Sequence, residues 1–269
     1  MPVQSKDPES IPAHEGLPAT GVADFSLEGK TVMVTGASGG IGAHVAVVSA
    51  AAGARVVLAA RRERQLRQVA DTITARGGSA TCLALDLTDR RNLASCMSAA
   101  GDIDVLVNNA GVAQPAPAVA DGGGDEDELW RVNLFGALDL ARLAARAWIG
   151  AKRPGVIVNV ASILGLVGAP GVSGYCATKA ALISLTKTLA CEWARHQIRV
   201  NALAPGYLRT ALNAAELDGD VGARLIKRIP MRRLASLSDL DGPFLLLASE
   251  ASRYMTGSVL VVDGGQTAC

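Results

Sequence analysis

The stretch TVMVTGASGGIG, residues 31–42, decides the fold of this chain. Its first five residues form a short run rich in β-branched side chains, which is typical of a buried strand. Four glycines follow, Gly36, Gly39, Gly40 and Gly42, and the chain continues as GAHVAVVSAAAG, which has helical character. A strand, a glycine-rich turn and a helix in this order predict the start of an α/β domain, in which helices cover a parallel sheet.

The rest of the chain repeats this alternation of strand and helix. Each further strand is a short run in which valine, isoleucine and leucine are nearly continuous, which indicates burial on both faces. These runs are ARVVLAA, ATCLALD, IDVLVNNAG, GVIVNVAS, IRVNALAPG and SVLVVDGG. Residues 27–269 are therefore predicted to form a single domain with a doubly wound, parallel, seven-stranded sheet flanked by helices. Residues 1–26 carry four prolines and no hydrophobic period, and they are predicted to be a flexible arm.

Composition excludes several classes of function. The formal net charge is only +1 in 269 residues, so no electrostatic attraction to nucleic acid or to an anionic membrane is expected. The five cysteines are odd in number and have no C-x-x-C spacing, which predicts free thiols in a reducing compartment. No metal site is predicted, and no apolar run approaches the roughly 18 residues of a membrane span. We expect a cytoplasmic protein that acts on a small molecule.

The glycine turn predicts a place for a phosphate group. Glycines between a strand and a helix let the backbone approach a dinucleotide pyrophosphate at the helix N-terminus. Gly36 is expected to make the tight turn, Gly40 to permit the close approach, and Gly42 to let the helix pack on the strand. The spacing is G-x-x-x-G-x-G, and a glycine-rich turn alone does not decide that a cofactor binds.

A second interpretation of the same turn is a hydrolase. The segment GASGG also matches the G-x-S-x-G motif at the strand–helix turn of α/β-hydrolases, which would make Ser38 a nucleophile. That chemistry needs an acid and then a histidine later in the chain. His14 lies in the predicted arm, His44 directly follows the turn and His196 ends a helix, so none has the expected position. The hydrolase stays a remote alternative.

A tyrosine and a lysine mark a later helix. Tyr175 and Lys179 are four residues apart in GYCATKAALISL, so a helix places them on the same face. An ammonium group beside a phenol favours the phenolate and lowers a pKa that starts at about 10. The pair is therefore a candidate acid–base catalyst. The alternative is that Tyr175 fills a gap in the packing and Lys179 is solvated.

Taken in chain order, the motifs resemble those of the short-chain dehydrogenase/reductase family over residues 27–265. They are TGASGGIG, NNAG from Asn108 to Gly111, Asn133 in RVNLFG, Ser162 thirteen residues before Tyr175, YCATK, and Pro205-Gly206. The resemblance implies a Rossmann fold and an NAD(P)-dependent oxidoreductase. The positions that match the family's catalytic residues are Asn133, Ser162, Tyr175 and Lys179. The positions that match its cofactor site are Gly36, Ser38, Gly40, Ile41, Gly42, Arg61, Asp86, Leu87, Asn108, Ala110, Gly111, Tyr175, Lys179, Pro205, Gly206 and Thr210.

The resemblance also implies a role for each catalytic residue. Tyr175 donates a proton to the substrate oxygen in reduction and, as phenolate, removes it in oxidation. Lys179 lowers the pKa of Tyr175 and holds the nicotinamide ribose. Ser162 donates a hydrogen bond to the substrate oxygen, and Asn133 anchors a water that links Lys179 to solvent. A protein that binds NADP as a sensor without catalysis is a remote alternative, because such proteins typically lack the tyrosine or the lysine.

The end of the second strand favours NADP over NAD. Ala60 stands where the NAD-using members of the family have an aspartate, and Arg61 and Arg62 follow it. Arginine forms charge-assisted bonds to phosphate, so Arg61 is predicted to bind the 2′-phosphate of NADP. The alternative is that RRER is the solvated start of a helix and that NAD is used. Ser38-Gly39 also departs from the family members that place a basic residue inside the glycine turn.

The substrate is less well defined by the sequence. Residues 207–233 match the family's variable lid over the active site and combine leucines with basic residues. A ketone and a secondary alcohol are the expected pair, with a 3-oxoacyl thioester as the first candidate. A sugar or another alcohol, oxidised with NAD, is the alternative. The resemblance further implies a homotetramer or dimer, formed in part by the helices that contain Trp130 and Tyr175.

Overall fold

The structure, a computed structural model, describes residues 24–119, 126–209 and 219–269. Most of the predicted arm, residues 1–26, lies outside these ranges. The strands are β1 Thr31–Thr35, β2 Arg55–Ala60, β3 Ser79–Ala84, β4 Val105–Asn108, β5 Gly155–Val160, β6 Ile198–Pro205 and β7 Val259–Val262. The helices are α1 Gly40–Ala51, α2 Glu63–Thr74, α3 Arg90–Ala100, α4 Glu126–Trp130, α5 Gly136–Gly150, α6 Ser173–Trp193, α7 Asp220–Arg228 and α8 Asp241–Ala248.

The seven strands form one parallel sheet in the order β3-β2-β1-β4-β5-β6-β7. Strand β1 lies between β2 and β4, with Val34 opposite Leu58 on one side and Val107 on the other. The strand order reverses between β1 and β4, and ligands of open α/β sheets bind at the carboxyl ends of the strands at such a point. The predicted doubly wound, seven-stranded sheet is confirmed.

A hydrophobic layer covers each face of the sheet. Successive residues of a strand point to opposite faces, so Val34 packs in the layer that contains α1 and α8, whereas Met33 packs in the layer that contains α3 and α5. Aromatic residues are few, so alanine and aliphatic side chains fill most of both layers. Trp148 is the largest fully buried side chain, and its indole Nε1 donates to the Ile103 carbonyl at 2.7 Å. The packed sheet provides a rigid edge for the site.

The helical segment from Glu126 to Gly150 is not a continuous α-helix. Helices α4 and α5 are joined by a turn of π-helix, Arg131–Phe135, in which the hydrogen bonds are wider than in an α-helix. Such insertions are frequent at functional sites, and this one contains Asn133. None of the helices in the described ranges is long and apolar enough to cross a bilayer.

Candidate active site

The glycine turn between β1 and α1 is shaped by two glycines with different functions. Gly36 has φ +66°, and a Cβ at this residue would lie 2.8 Å from the Cα of Ala110. Gly42 has no positive φ, but its Cβ would lie 2.5 Å from the Gly36 carbonyl oxygen and 2.3 Å from Asn109 Nδ2. Gly36 therefore makes the turn, and Gly42 lets α1 pack directly on it, as the sequence predicts.

The open side of this turn has the properties that a dinucleotide phosphate requires. Gly40 has φ +55°, and a Cβ there would meet nothing within 4 Å. Gly39 caps α1 without a side-chain hydrogen bond, so no side chain occupies the first turn of the helix. Ile41 packs its side chain against the core, which leaves only its backbone to face the turn. The turn is therefore an open helix N-terminus with a partial positive charge, which fits a pyrophosphate.

Hydrogen bonds between β1 and β4 hold the two sides of this edge together. The Thr35 hydroxyl accepts from the backbone N–H groups of Asn109 at 3.0 Å and Ala110 at 3.1 Å. The Asn109 amide Nδ2 donates to the Thr35 carbonyl at 2.9 Å. Thr35 and Asn109 therefore fix the turn against NNAG, and Thr35 is not among the site residues that the sequence predicts.

Three of the predicted catalytic residues meet at the carboxyl end of β5. Ser162 follows this strand, and Tyr175 lies in the first turn of α6, with the Ser162 side chain near enough to lower the pKa of the Tyr175 hydroxyl. Lys179 lies one turn further along α6, with Nζ 5.6 Å from the centroid of the Tyr175 ring. The Lys179 ammonium donates to the Val160 carbonyl at 2.8 Å. The end of β5 and the start of α6 therefore bring together the Tyr175 phenol, the Ser162 hydroxyl and the Lys179 ammonium.

Burial sets the protonation of these groups. The pKa of Tyr175 is raised above its usual value, because burial disfavours the phenolate more than the hydrogen bond with Ser162 favours it. Burial also lowers the pKa of Lys179 to about 8. Desolvation therefore outweighs any effect of the Lys179 charge, so the net shift of the Tyr175 pKa is opposite to the direction that the sequence predicts. At neutral pH Tyr175 is a protonated acid.

Asn133 fixes the loop beside this group. In the π-helical turn its side-chain Oδ1 accepts from the Val112 N–H at 2.8 Å, and its Nδ2 donates to the Val112 carbonyl at 2.9 Å. Nδ2 also donates to the Thr178 hydroxyl at 3.1 Å. A Cβ at Gly111 would lie 3.3 Å from Asn133 Oδ1 and 3.5 Å from Lys179 Nζ. The Gly111 backbone therefore lies close to both Asn133 and Lys179, where a side chain would be in contact with them. The water-anchoring role of Asn133 stays a prediction.

Other predicted cofactor residues have local partners. The Asp86 carboxylate accepts from the Thr88 N–H at 2.9 Å and its hydroxyl at 2.8 Å, and these bonds lower the pKa of Asp86. The Cβ of Leu87 packs close to Gly136, at the start of α5. Asn108 is buried, and its amide donates to Asn159 Oδ1 at 2.9 Å. Its side chain therefore joins β4 to β5 and does not line the edge.

The end of β6 contributes backbone to the same edge. Pro205 is the last residue of β6, and the Gly206 N–H donates to the Val262 carbonyl at 2.9 Å. A Cβ at Gly206 would lie 2.8 Å from the Cα of Asp263, so β6 and the segment after β7 are in close contact there. Thr210 lies outside the described residues.

The two arginines after β2 have different partners. Arg61 forms an ion pair with Glu128 in α4, with 3.2 Å between Nη1 and Oε1. Arg62 donates to the Ser38 hydroxyl from Nε at 3.1 Å and from Nη2 at 3.0 Å. Sequence analysis assigns only Arg61 to the cofactor. The sequence feature that could have indicated the contact of Arg62 with Ser38 is the alternation of side-chain direction in extended backbone. This alternation turns only one of two neighbouring residues toward the glycine turn.

The contacts of Ser38 do not form a hydrolase site. Its hydroxyl accepts from Arg62, while His44 Nε2 lies 2.6 Å from Asp241 Oδ1 in α8. A serine nucleophile needs a histidine within hydrogen-bond reach. Within the described ranges no histidine is hydrogen-bonded to Ser38, so the structure gives no support to the nucleophile interpretation.

Comparison with known proteins assigns the family. A family model described as enoyl-(acyl carrier protein) reductase matches residues 36–267. Gluconate 5-dehydrogenase of Gluconobacter oxydans is 37% identical over 248 residues, which cover 90% of this chain and 96% of that protein. A 3-oxoacyl-[acyl-carrier-protein] reductase of Thermotoga maritima is 36% identical over 243 residues, which cover 89% and 98%.

A solved structure matches the whole fold. The crystal structure of a gluconate 5-dehydrogenase from Burkholderia cenocepacia, in complex with NADP and tartrate, superposes with a TM-score of 0.87 at 36% identity. The match covers 92% of this chain and 98% of that one. Sequence, fold and family model agree over nearly the full length of each relative. The chain therefore belongs to the short-chain dehydrogenase/reductase family of NAD(P)-dependent oxidoreductases.

Proposed function

We propose that this chain interconverts a ketone and a secondary alcohol with NADP(H), and that Tyr175 is its general acid and base. The observation that carries the proposal is the meeting of Ser162, Tyr175 and Lys179 at one end of β5. Strands β1, β4 and β5 are neighbours and parallel, so this group and the glycine turn share an edge of the sheet. A cofactor in the turn and a substrate at Tyr175 can then lie side by side.

The chain's own residues handle the oxygen and the proton of the substrate. The nicotinamide cofactor, when bound, supplies or accepts the hydride. Reduction of a carbonyl develops negative charge on its oxygen, which a positioned donor stabilises. The Tyr175 hydroxyl, kept protonated by burial, donates its proton to this oxygen, and the Ser162 hydroxyl donates a hydrogen bond to it. The Lys179 ammonium stabilises the phenolate that remains.

The raised pKa of Tyr175 supports reduction as the favoured direction at neutral pH. A protonated phenol is ready to donate to a ketone, whereas oxidation of an alcohol first requires its deprotonation. NADP(H) as the preferred cofactor is supported by Ala60 at the end of β2, which leaves no carboxylate there to repel a 2′-phosphate, and by the two arginines that follow.

The relatives point to two substrate classes. One relative is named for the oxidation of gluconate at carbon 5 and another for the reduction of a 3-oxoacyl group. Both names describe a ketone and a secondary alcohol on a chain that ends in a carboxylate or a thioester. We propose a substrate of this kind, with the sugar acid favoured by the NADP-bound structure of a gluconate 5-dehydrogenase. Exposed Lys227 and Arg228, at the end of α7 in the proposed lid of residues 207–233, are suitable partners for an acidic group.

The same proposal includes the organisation of the protein. Residues 27–269 form the catalytic domain, and the enzyme assembles as a homotetramer or dimer through the α4–α5 and α6 faces. In support, Phe135 is 49% exposed beside Trp130, with 6.5 Å between the ring centroids. Large apolar side chains exposed together are typical of interaction surfaces.

A cofactor and substrate panel tests the function. A 5-ketogluconate, a 3-oxoacyl thioester, an enoyl thioester and a simple ketone are mixed with NADPH or NADH, and absorbance at 340 nm is followed. We expect loss of absorbance with NADPH and at least one ketone. NADPH binding with no turnover of any of these compounds would instead favour a binding protein.

A pair of tyrosine variants tests the catalytic role. We expect Tyr175→Phe to abolish turnover and to leave NADPH affinity nearly unchanged, because only the proton donor is removed. Tyr254→Phe is the matched control. Tyr254 is fully exposed, so this variant loses a hydroxyl group in the same way but away from the site. Wild-type turnover in Tyr175→Phe would refute the role of Tyr175.

A further inference from the structure

We propose that Gly165 is a positioning residue for the reaction. Its backbone holds the turn of residues 162–165, the serine turn, against helix α6 and so fixes the position of the Ser162 hydroxyl relative to Tyr175. This inference rests on the proposed function, in which both hydroxyl groups act on the substrate oxygen. Gly165 is not among the site residues that the sequence predicts, because its contribution depends on how closely the turn approaches the helix.

The serine turn lies directly against the backbone of α6 at Gly165. A Cβ at this residue would lie 2.7 Å from the carbonyl carbon of Lys179, 2.8 Å from its carbonyl oxygen and 2.9 Å from the Ala180 nitrogen. All three are main-chain atoms of a helix of 21 residues, so no side chain can rotate away to make room. A residue with a side chain therefore fits here only if the turn or the helix is displaced.

Ser162 moves with this turn because two hydrogen bonds tie it to the residues that follow. The Leu164 N–H donates to the Ser162 hydroxyl oxygen at 3.1 Å, and the Gly165 N–H donates to the Ser162 carbonyl at 3.0 Å. The first bond occupies a lone pair of the hydroxyl and leaves its proton to be donated. The Ser162 hydroxyl therefore keeps its direction only while the serine turn keeps its place.

The serine turn is anchored from below as well. Ile163, in the middle of the turn, is only 1% exposed. Ala161, just before the turn, packs in a buried cluster with Ile183 of α6. The turn is therefore confined between the core and the helix, and a side chain added at Gly165 has no free space on either side.

Lys179 is held from two sides by the same stretch of chain. Its ammonium donates to the Val160 carbonyl at 2.8 Å, and its backbone lies against Gly165. Residues 160–165 therefore run along α6 at the level of the catalytic group. A displacement at Gly165 changes the distance from Ser162 to the helix that carries both Tyr175 and Lys179.

These contacts set the size of the expected effect. Carbon contacts are most favourable at about 3.5–4.0 Å, so a methyl group at residue 165 would separate the turn from the helix by about 1 Å. A misplacement of about 1 Å at a reacting group can cost about 100-fold in rate. The loss should appear in kcat, because the hydrogen bond from Ser162 strengthens as negative charge develops on the substrate oxygen.

A matched pair of glycine variants tests the inference in the full chain. Gly165→Ala and Gly168→Ala make the same chemical change three residues apart, but a Cβ at Gly168 would meet nothing within 4 Å. The assay is the reduction by NADPH, followed at 340 nm, of 5-ketogluconate or of whichever ketone of the panel the wild type reduces. We expect kcat to fall by roughly 10- to 100-fold in Gly165→Ala, with NADPH affinity unchanged. Gly168→Ala should have the kinetics of the wild type, and equal kcat in the two variants would overturn the inference.

A double-mutant cycle with Ser162→Ala separates positioning from a general loss of structure. If Gly165 acts through Ser162, its replacement has little left to disturb once the hydroxyl is gone. We therefore expect Gly165→Ala to lower kcat by less than about threefold in the Ser162→Ala background. The same factor in both backgrounds would overturn the inference, because it would show that the loss does not pass through Ser162.

A pair of isoleucine variants decides the outcome if Gly165→Ala does not fold. Ile163→Val and Ile157→Val make the same change at two fully buried side chains, the first in the serine turn and the second within β5. Both should lose about 1 kcal/mol in the free energy of unfolding. Only Ile163→Val loosens the turn, so only this variant should lose kcat, and equal kcat in both would overturn the inference.

The outcomes separate the inference from the proposed function. If the wild type reduces no ketone of the panel, the proposed function fails, and the inference fails with it. If the wild type is active and Tyr175→Phe is not, but Gly165→Ala keeps the kcat of the wild type, the function stands and the inference is wrong.

Discussion

Replacement of Gly42 by alanine tests how tightly helix α1 is packed on the glycine turn. The new Cβ would lie 2.3 Å from Asn109 Nδ2 and 2.5 Å from the Gly36 carbonyl oxygen, whereas carbon contacts are most favourable at about 3.5–4.0 Å. The turn has little freedom to move, because Asn109 is hydrogen-bonded to Thr35 at 2.9 Å. Relief of the contact therefore requires a shift of α1 or the loss of this bond.

The structure gives the size of the effect on the free energy of unfolding. Overpacking of a tight site costs about 1–3 kcal/mol, and the partly buried Asn109 amide costs about 1–2 kcal/mol more if it loses its acceptor. The higher helix propensity of alanine offsets about 1 kcal/mol of this loss in the free energy of unfolding. We therefore expect a destabilisation of about 3 kcal/mol for Gly42→Ala, which corresponds to a fall in Tm on the order of 10 °C for a chain of this size.

Two other glycines serve as matched controls in thermal unfolding followed by circular dichroism at one protein concentration. A Cβ at Gly150, in the last turn of α5, would meet nothing within 4 Å, so Gly150→Ala should leave Tm unchanged or raise it slightly. Gly40 also faces open space, but its φ of +55° adds a strain of about 1–2 kcal/mol. Gly40→Ala should lose NADPH affinity more than stability. If Gly42→Ala unfolds at the same temperature as Gly150→Ala, the argument from close packing is wrong.

Two further predictions concern the catalytic group. Lys179 carries its charge below its pKa of about 8 and loses it above, and Tyr175 has a raised pKa. We therefore expect kcat for ketone reduction to fall as the pH rises above about 8, because an uncharged Lys179 no longer stabilises the phenolate that remains after proton donation; a reduction rate that is constant up to pH values well above this would contradict the assignment. Asn133→Ala removes three hydrogen bonds and leaves both backbone groups of Val112 without their partner, so urea denaturation should show a loss of about 2–4 kcal/mol. Thr178→Val, which removes one of these bonds, should lose less, and equal stability of Asn133→Ala and the wild type would show that the loop is held by other contacts.

Local features of the sequence predicted the parts of the site that depend on neighbours along the chain. The glycine turn follows from the steric freedom of Gly36 beside a strand, and the placement of Tyr175 next to Lys179 follows from the period of a helix. The family's motif order located Ser162, although serine and tyrosine are thirteen residues apart. The π-helical turn around Asn133 has no such local signal, because it depends on bonds to Val112 and Thr178, 21 and 45 residues away.

By itself, the sequence determined the doubly wound sheet and the position of the glycine turn, and it predicted Tyr175 as the acid, because alternation, glycine spacing and helical period are properties of adjacent residues. Only the tertiary structure decided the direction of the Tyr175 pKa shift and the division of partners between Arg61 and Arg62. Desolvation depends on what packs over a hydroxyl, and an ion pair such as Arg61–Glu128 joins residues 67 positions apart. Such contacts exist only after the chain has folded.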